Sequence, residues 1–304
     1  MDEKLIAAIT EEVIRQLIET GRVVLPDQDR FDAGETTGRF SGSFNEGRFG
    51  GSFSDSRTPL HQIGESSLKD PQDPEALERM KKRTTARIGV GRVGTRLGTQ
   101  TLLKLRADHA GARDSVFKDV DPALIERLGL KTIETQAGDK NTYLTRPDLG
   151  RKLTPEAESF LRQNCDMHPD VQIYAADGLS STAIEANLER ILPVLTDGLK
   201  AQGISVGTPF YMRFGRVGAE DQVAEILGAK VVCVLLGERP GLATAESMSA
   251  YIVYNAHVGI PESKRTVVSN IHKNGLTAVE AGAYIIEVIR MILDQKASGV
   301  DLVK

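Results

Sequence analysis

Cysteine is scarce in this sequence. The 304 residues hold two, Cys165 and Cys233, too far apart for a Cys-x-x-Cys metal or redox pair and without a histidine cluster beside them. Long apolar runs are missing as well: Val231–Leu236 falls far short of the roughly 18 residues a membrane span requires. Met1-Asp2-Glu3-Lys4 lacks the basic start of a secretory signal, so the expectation is a cytoplasmic protein with no membrane partner. Neither charge dominates. With 38 basic against 42 acidic residues the formal charge is -4, and no general attraction to nucleic acid is expected. The five histidines, His61, His109, His168, His257 and His272, are scattered without His-Glu-x-x-His spacing, and no Gly-x-Ser-x-Gly elbow is present. From the residues alone, neither a metal site nor a catalytic nucleophile is expected.

What is there is enough for two domains of ordinary size, with 40% apolar residues to build their cores. Leu5, Ile9, Val13 and Leu17 repeat at four-residue spacing, so residues 1–20 are predicted to form an amphipathic helix. Residues 21–72 are read as a flexible linker rich in Gly and Ser. The linker carries a near-repeat, Gly38-Arg39-Phe40-Ser41-Gly42-Ser43-Phe44-Asn45-Glu46 followed by Gly47-Arg48-Phe49-Gly50-Gly51-Ser52-Phe53-Ser54-Asp55. Either a plain spacer or an adhesive interaction segment accounts for it.

From Asp73 the pattern changes. Helix signals at Pro74, around Gln100–Phe117 and near Pro122–Leu130 predict a helical domain over 73–155. Over 156–304, strands are predicted at Val171–Ala176, Pro209–Phe214, Val231–Leu236, Tyr251–Tyr254 and Thr266–Ile271, with helices at Ser181–Ala201, Ala219–Leu227 and Thr277–Gln295. The fold class expected is therefore α/β: a Rossmann-like parallel sheet domain, preceded by a small helical domain and a disordered N-terminal linker with its terminal helix. In such a sheet ligands gather at the carboxyl ends of the strands.

Several motifs carry chemistry in principle. Gly89-Val90-Gly91-Arg92-Val93-Gly94 matches a dinucleotide fingerprint, but the charged, helix-like stretch Ala76–Arg87 stands where a buried strand should. A basic, glycine-rich loop is the better reading, and a strand before Gly89 would reverse it. Asp166-Met167-His168 begins like a cobalt-ligating Asp-x-His-x-x-Gly motif, yet Val171 stands in place of the glycine, and a turn before Pro169 explains it. Asp177-Gly178-Leu179-Ser180-Ser181 joins a strand to a helix, and helix capping is weighed there ahead of ligand binding. Gly237-Glu238-Arg239-Pro240-Gly241-Leu242 follows the most apolar strand, so Glu238 should emerge at the carboxyl edge beside Gly215-Arg216-Val217 and Ser269-Asn270-Ile271-His272. That edge suits a large neutral molecule bearing amides better than a polyphosphate. A surface ion pair with a nearby arginine stands equally open for Glu238.

Five blocks in order carry a resemblance: Ala86-Arg87-Ile88-Gly89-Val90-Gly91-Arg92-Val93-Gly94-Thr95-Arg96, Leu105-Arg106-Ala107-Asp108-His109-Ala110, Asp177-Gly178-Leu179-Ser180, Gly237-Glu238-Arg239-Pro240-Gly241-Leu242 and Ser269-Asn270-Ile271-His272. Together they resemble the light (small) chain of ethanolamine ammonia-lyase, over about residues 75 to 304. The resemblance implies an adenosylcobalamin-dependent lyase converting ethanolamine to acetaldehyde and ammonia. Its heavy chain carries the catalytic residues, and the light chain covers the cobalamin with no catalytic or metal-ligating residue of its own. Corrin contacts carry over to Val217, Glu238 and Val267, the last a departure, since relatives can hold Cys there. The resemblance also implies work inside a bacterial microcompartment, with the helix over 1–20 directing the chain to shell or cargo. A non-catalytic scaffold or interaction protein of such a compartment is the alternative.

Overall fold

The computed structural model describes residues 68–303. The predicted helix over 1–20, the Arg/Phe repeat and nearly all of the predicted linker lie outside the described residues.

The first described helix, α1 (Pro74–Lys81), starts where Asp73 accepts the Ala76 amide at 2.8 Å and Pro74 fills the first turn. The glycine-rich stretch that follows leads into no helix. It folds instead into a two-residue antiparallel pair, β1 (Arg92–Val93) with β2 (Arg96–Leu97). No described strand precedes Gly89, so the dinucleotide reading ends there. Three helices then begin at side-chain or proline signals or at a glycine: α2 (Thr99–Phe117), α3 (Pro122–Arg127) capped by Asp121, and, after a strand, α4 (Lys140–Thr145) capped by Asp139. The intervening strand β3 (Lys131–Glu134) falls in the stretch expected to be helical, and it is long enough for only two residues per face.

Beyond α5 (Pro155–Asn164) the elements alternate closely as expected: β4 (Val171–Ala176), α6 (Ser181–Ala201), β5 (Phe210–Arg213), α7 (Ala219–Leu227), β6 (Val231–Gly237), β7 (Met248–Tyr254), β8 (Arg265–Ile271) and α8 (Ala278–Gln295). Thr277 and Glu280 form the capping box in front of α8. The six-stranded sheet runs β3-β5-β4-β6-β7-β8. The first four strands are parallel, whereas β7 is antiparallel to both β6 and β8. The sheet expected to be parallel is thus mostly so, with β7 the departure. The connections 238–247 and 255–264 hold no α-helix to carry the chain back across a face, so each must reverse direction.

Each face of the sheet buries its own core. On one face Val171, Ile173, Val231, Cys233, Leu235, Ala250 and Ile252 pack under Leu188, Ile191 and Leu195 of α6 and Ile285, Ile289 and Ile292 of α8. On the other, Tyr174, Met212, Val232, Val234 and Val253 pack under α5 and α7 through Leu161, Val223 and Leu227. Removing each such Leu or Ile from water contributes about 1.5–3 kcal/mol, which is what fixes the helices to the sheet.

Candidate functional site

The chain leaves β4 at one edge of the sheet and goes to β5 on one side of it. It leaves β5 and crosses to β6 on the other. The carboxyl ends of β4 and β6 therefore flank the point where the winding reverses, the usual place for a ligand crevice. Here backbone fills it. Gly178 has φ of +55° and its missing Cβ would lie 2.2 Å from the Gly237 carbonyl oxygen, while a Cβ on Gly237 would lie 2.1 Å from that of Ser180. The Leu179 amide donates to the Gly237 carbonyl at 2.9 Å. Ser180 caps α6 through the Ala183 amide and donates to the Ala245 carbonyl, and Ser115 of α2 closes over it at 2.9 Å. Capping is thus the role of Ser180.

Two further loops leave this edge, one after β5 and one after β6. After β5, Phe214 turns left-handed, with φ of +58°, and is held by a web of partners. Its amide donates to Asp177 Oδ1 at 2.8 Å, and its carbonyl accepts the Thr135 hydroxyl at 2.9 Å. Lys140 donates to Asp177 Oδ2 at 3.2 Å, and its ammonium stands 5.5 Å from the ring centres of both Tyr143 and Phe214. Burial pushes the Asp177 carboxyl up, against the pull of Lys140. The Tyr143 hydroxyl donates to the Gly215 carbonyl at 3.1 Å, and Arg216 lies over the Tyr143 ring at 4.2 Å. These bonds hold Arg216 and Val217 in place at the edge.

After β6, the Glu238 amide donates to the Ser247 carbonyl, extending the β6–β7 hairpin, and Glu238 Oε1 accepts the Tyr251 hydroxyl at 2.7 Å. Among the described residues Glu238 makes no ion pair, so arginine is not its partner. Its second oxygen makes no hydrogen bond among the described residues, and the loop bearing Val217 leaves the same carboxyl edge with β4 between β5 and β6. The Glu238 charge also acts on Tyr143. Burial, then Glu238, pushes the Tyr251 phenol up, so it remains a proton donor. Val217 and Tyr251 pack, half-buried, on the α5/α7 face of the sheet.

Val267 stands opposite Tyr251 in register and shares its face, 46% exposed. It is a mid-strand residue set back from the rim. Two residues earlier Arg265 points to the same face, with its side chain 2% exposed. Its Nε donates to Glu220 Oε1 at 2.5 Å, one Nη donates to Asp221 Oδ1 at 2.6 Å, and the other lies 3.1 Å from Glu262 Oε2. Burial pushes the Glu220 carboxyl up, and Arg265 pulls it back toward the charged form. A cleft of about 490 Å³ opens beside this cluster, bordered by Gly218, Asp221, Val258, Ile260 and Glu262.

The structure therefore places Val217, the Glu238 carboxylate and Val267 on one face of the sheet, Val217 and Glu238 past the strand ends and Val267 set back in mid-strand. Sequence reasoning missed Tyr251, Arg265 and the pair Asp177–Lys140. Only Tyr251 left a signal, as the aromatic residue in the strand after the Gly-Glu-Arg-Pro-Gly-Leu block. Asp166-Met167-His168 lies in the turn that enters β4, at the opposite edge, where the His168 amide donates to the Leu227 carbonyl at 2.7 Å. A second cleft, about 760 Å³, also lies at that far edge between exposed charged groups such as Lys230, Arg290 and Lys296, away from these residues.

Residues 74–303 match the protein family described as ethanolamine ammonia-lyase light chain (EutC). The ethanolamine ammonia-lyase small subunit of Clostridium tetani is 57% identical over 233 residues, covering 77% of this chain and 79% of that protein. That of Fusobacterium nucleatum is 55% identical over 235 residues, 77% of this chain and 80% of the relative. That of Clostridium perfringens is 55% identical over 233 residues, 77% and 79%. With a family match over most of its length and relatives this similar, the chain belongs to the ethanolamine ammonia-lyase light-chain family.

Proposed function

We propose that the chain is the small subunit of an adenosylcobalamin-dependent ethanolamine ammonia-lyase, a carbon–nitrogen lyase in which a heavy chain carries the catalytic residues and this chain covers the cobalamin. The observation that carries the reading is the Glu238–Tyr251 pair: a carboxylate with one oxygen occupied and one open, at the carboxyl edge, with Val217 and Val267 as apolar neighbours on the same face. The donor chemistry fits a corrin. Its amide side chains donate hydrogen bonds that the open Glu238 oxygen accepts, and its rim is apolar between them.

When bound, adenosylcobalamin supplies the cobalt–carbon bond whose homolysis starts the conversion of ethanolamine to acetaldehyde and ammonia. This chain's own residues do the holding. Tyr251 keeps the Glu238 carboxylate oriented, and Val217 and Val267 would hold the corrin against an apolar surface that excludes water. In this reading residues 1–20 and 21–72 direct the chain to a bacterial microcompartment and space it from the folded parts at 73–155 and 156–304.

Reconstitution with a heavy chain tests the site. Glu238→Ala is expected to weaken cobalamin binding by about 1–3 kcal/mol, the loss of a hydrogen bond to a charged group. Unchanged affinity would remove Glu238 from it. Deleting residues 1–56 is expected to leave lyase activity intact and abolish co-purification with shells, and retained encapsulation would refute the targeting role.

A further inference from the structure

We infer that Arg265 is a positioning residue for the cobalamin site: its ion pairs with Glu220 and Asp221 set the spacing between the strand that carries Val267 and the turn that carries Val217. The inference rests on the reading of Val217, Glu238 and Val267 as corrin contacts. Those three positions lie along one connected series of contacts. The Val217 carbonyl accepts the Glu220 amide at 3.1 Å. The Glu220 carboxylate accepts Arg265 Nε at 2.5 Å. Arg265 stands two residues before Val267 on the same strand, Val267 stands opposite Tyr251, and Tyr251 donates to Glu238. Arg265 is the link that joins the Val217 turn to the strand of Val267 across 45 residues of sequence.

The chemistry of the link suits that role. Strand β8 is at the end of the sheet and is paired along one side only, by β7, with a register irregularity between Met248 and Ala250. As an edge strand it is held by one ladder alone. A guanidinium is planar and offers its donors in a fixed fork, so engaging Glu220 and Asp221 together defines both the distance and the angle between β8 and α7. Buried ion pairs of this kind add little net stability compared with apolar packing, because desolvation offsets the attraction. Holding a spacing is a role that apolar side chains of the same volume would not perform. Glu220 is fully buried, so its carboxyl has no water to turn toward and is committed to Arg265.

The test uses the assembled heavy-chain and light-chain complex, with cobalamin affinity read by equilibrium dialysis and assembly by gel filtration. Arg265→Lys keeps the charge and loses the fork. It is expected to assemble and to bind cobalamin about tenfold more weakly. In a Val217→Ala, Val267→Ala background the same substitution is expected to cost less than threefold, because the contacts it positions are already gone. A loss of equal size in both backgrounds would mark general destabilisation and overturn the proposal. Should Arg265→Lys fail to assemble, Asp221→Asn removes one arm of the fork and is expected to weaken binding about threefold. Affinity within twofold of the unaltered complex for an assembled variant would overturn the proposal, and so would failure of both to assemble, since the cluster would then be a folding element. The underlying reading fails separately: it falls if Val217→Trp and Glu238→Ala leave cobalamin binding unchanged.

Discussion

The Tyr251 hydroxyl donates to Glu238 Oε1 at 2.7 Å, tying the residue just beyond β6 to the middle of β7. The bond closes a hairpin whose strands are already paired, from Val231 opposite Tyr254 to Gly237 opposite Met248. Its effect is therefore on direction: it aims a carboxylate that the hairpin turn would otherwise leave free to rotate.

Tyr251→Phe removes the donor and keeps the ring. The half-buried Glu238 is then left without a protein hydrogen bond to its side chain, and the expected cost is about 1–2 kcal/mol of stability, measured by urea unfolding. Cobalamin affinity of the reconstituted complex should fall in parallel, since the carboxylate is no longer oriented. An affinity indistinguishable from that of the unaltered complex would separate Tyr251 from the site.

Gly237→Ala places a Cβ 2.1 Å from the Ser180 carbonyl oxygen and 2.4 Å from that of Asp177. Both obstacles are backbone, so neither can swing aside. The expected cost is about 3 kcal/mol or more, or loss of soluble protein, because the β4 and β6 ends must separate. A urea midpoint equal to that of the unaltered chain would show that the close approach is dispensable.

Asp170 provides a control at the opposite edge. Lys230 at 2.7 Å, with the Ser205 hydroxyl at 2.7 Å and amide at 2.9 Å, lowers its carboxyl to about 2. A depressed carboxylate contributes stability that is present above its unfolded value near 4 and is lost as pH falls toward 2. Asp170→Asn should therefore cost about 1–2 kcal/mol at pH 7 and progressively less between pH 4 and pH 2, followed by urea midpoints across that range. Cobalamin affinity should not change.

Both thiols are buried and free. Burial pushes Cys165 up to about 11 and Cys233 further still, so neither is a thiolate at neutral pH. A thiol-specific chromogenic reagent at pH 7.5 should react with neither in the folded chain and with both in 6 M guanidinium. Rapid labelling of the folded chain at Cys233 would contradict the packing of β6 under α6.

The helices were legible because their signals are local. Asp73, Ser180 and Thr277 cap the helices that follow them, and Ser181–Ala201 and Ala219–Leu227 were read to the residue, whereas Pro155–Asn164 was not expected. The short β3 escaped, since four residues with Lys131 and Thr132 exposed carry almost no periodic signal. The reversal at β7 and β8 was written in the two connections without helices, but alternation within a strand is the same for either direction.

By itself, then, the sequence determined the strands and helices after Val171, the emergence of Glu238 at the end of the most apolar strand, and the family to which the chain belongs. Only the tertiary structure decided what surrounds Glu238. Tyr251 lies 13 residues from it, and Arg265 lies 45 and 44 residues from its partners Glu220 and Asp221. Such pairs leave no mark in local spacing, because they are created when separate strands come into register and are selected by shape and charge in three dimensions.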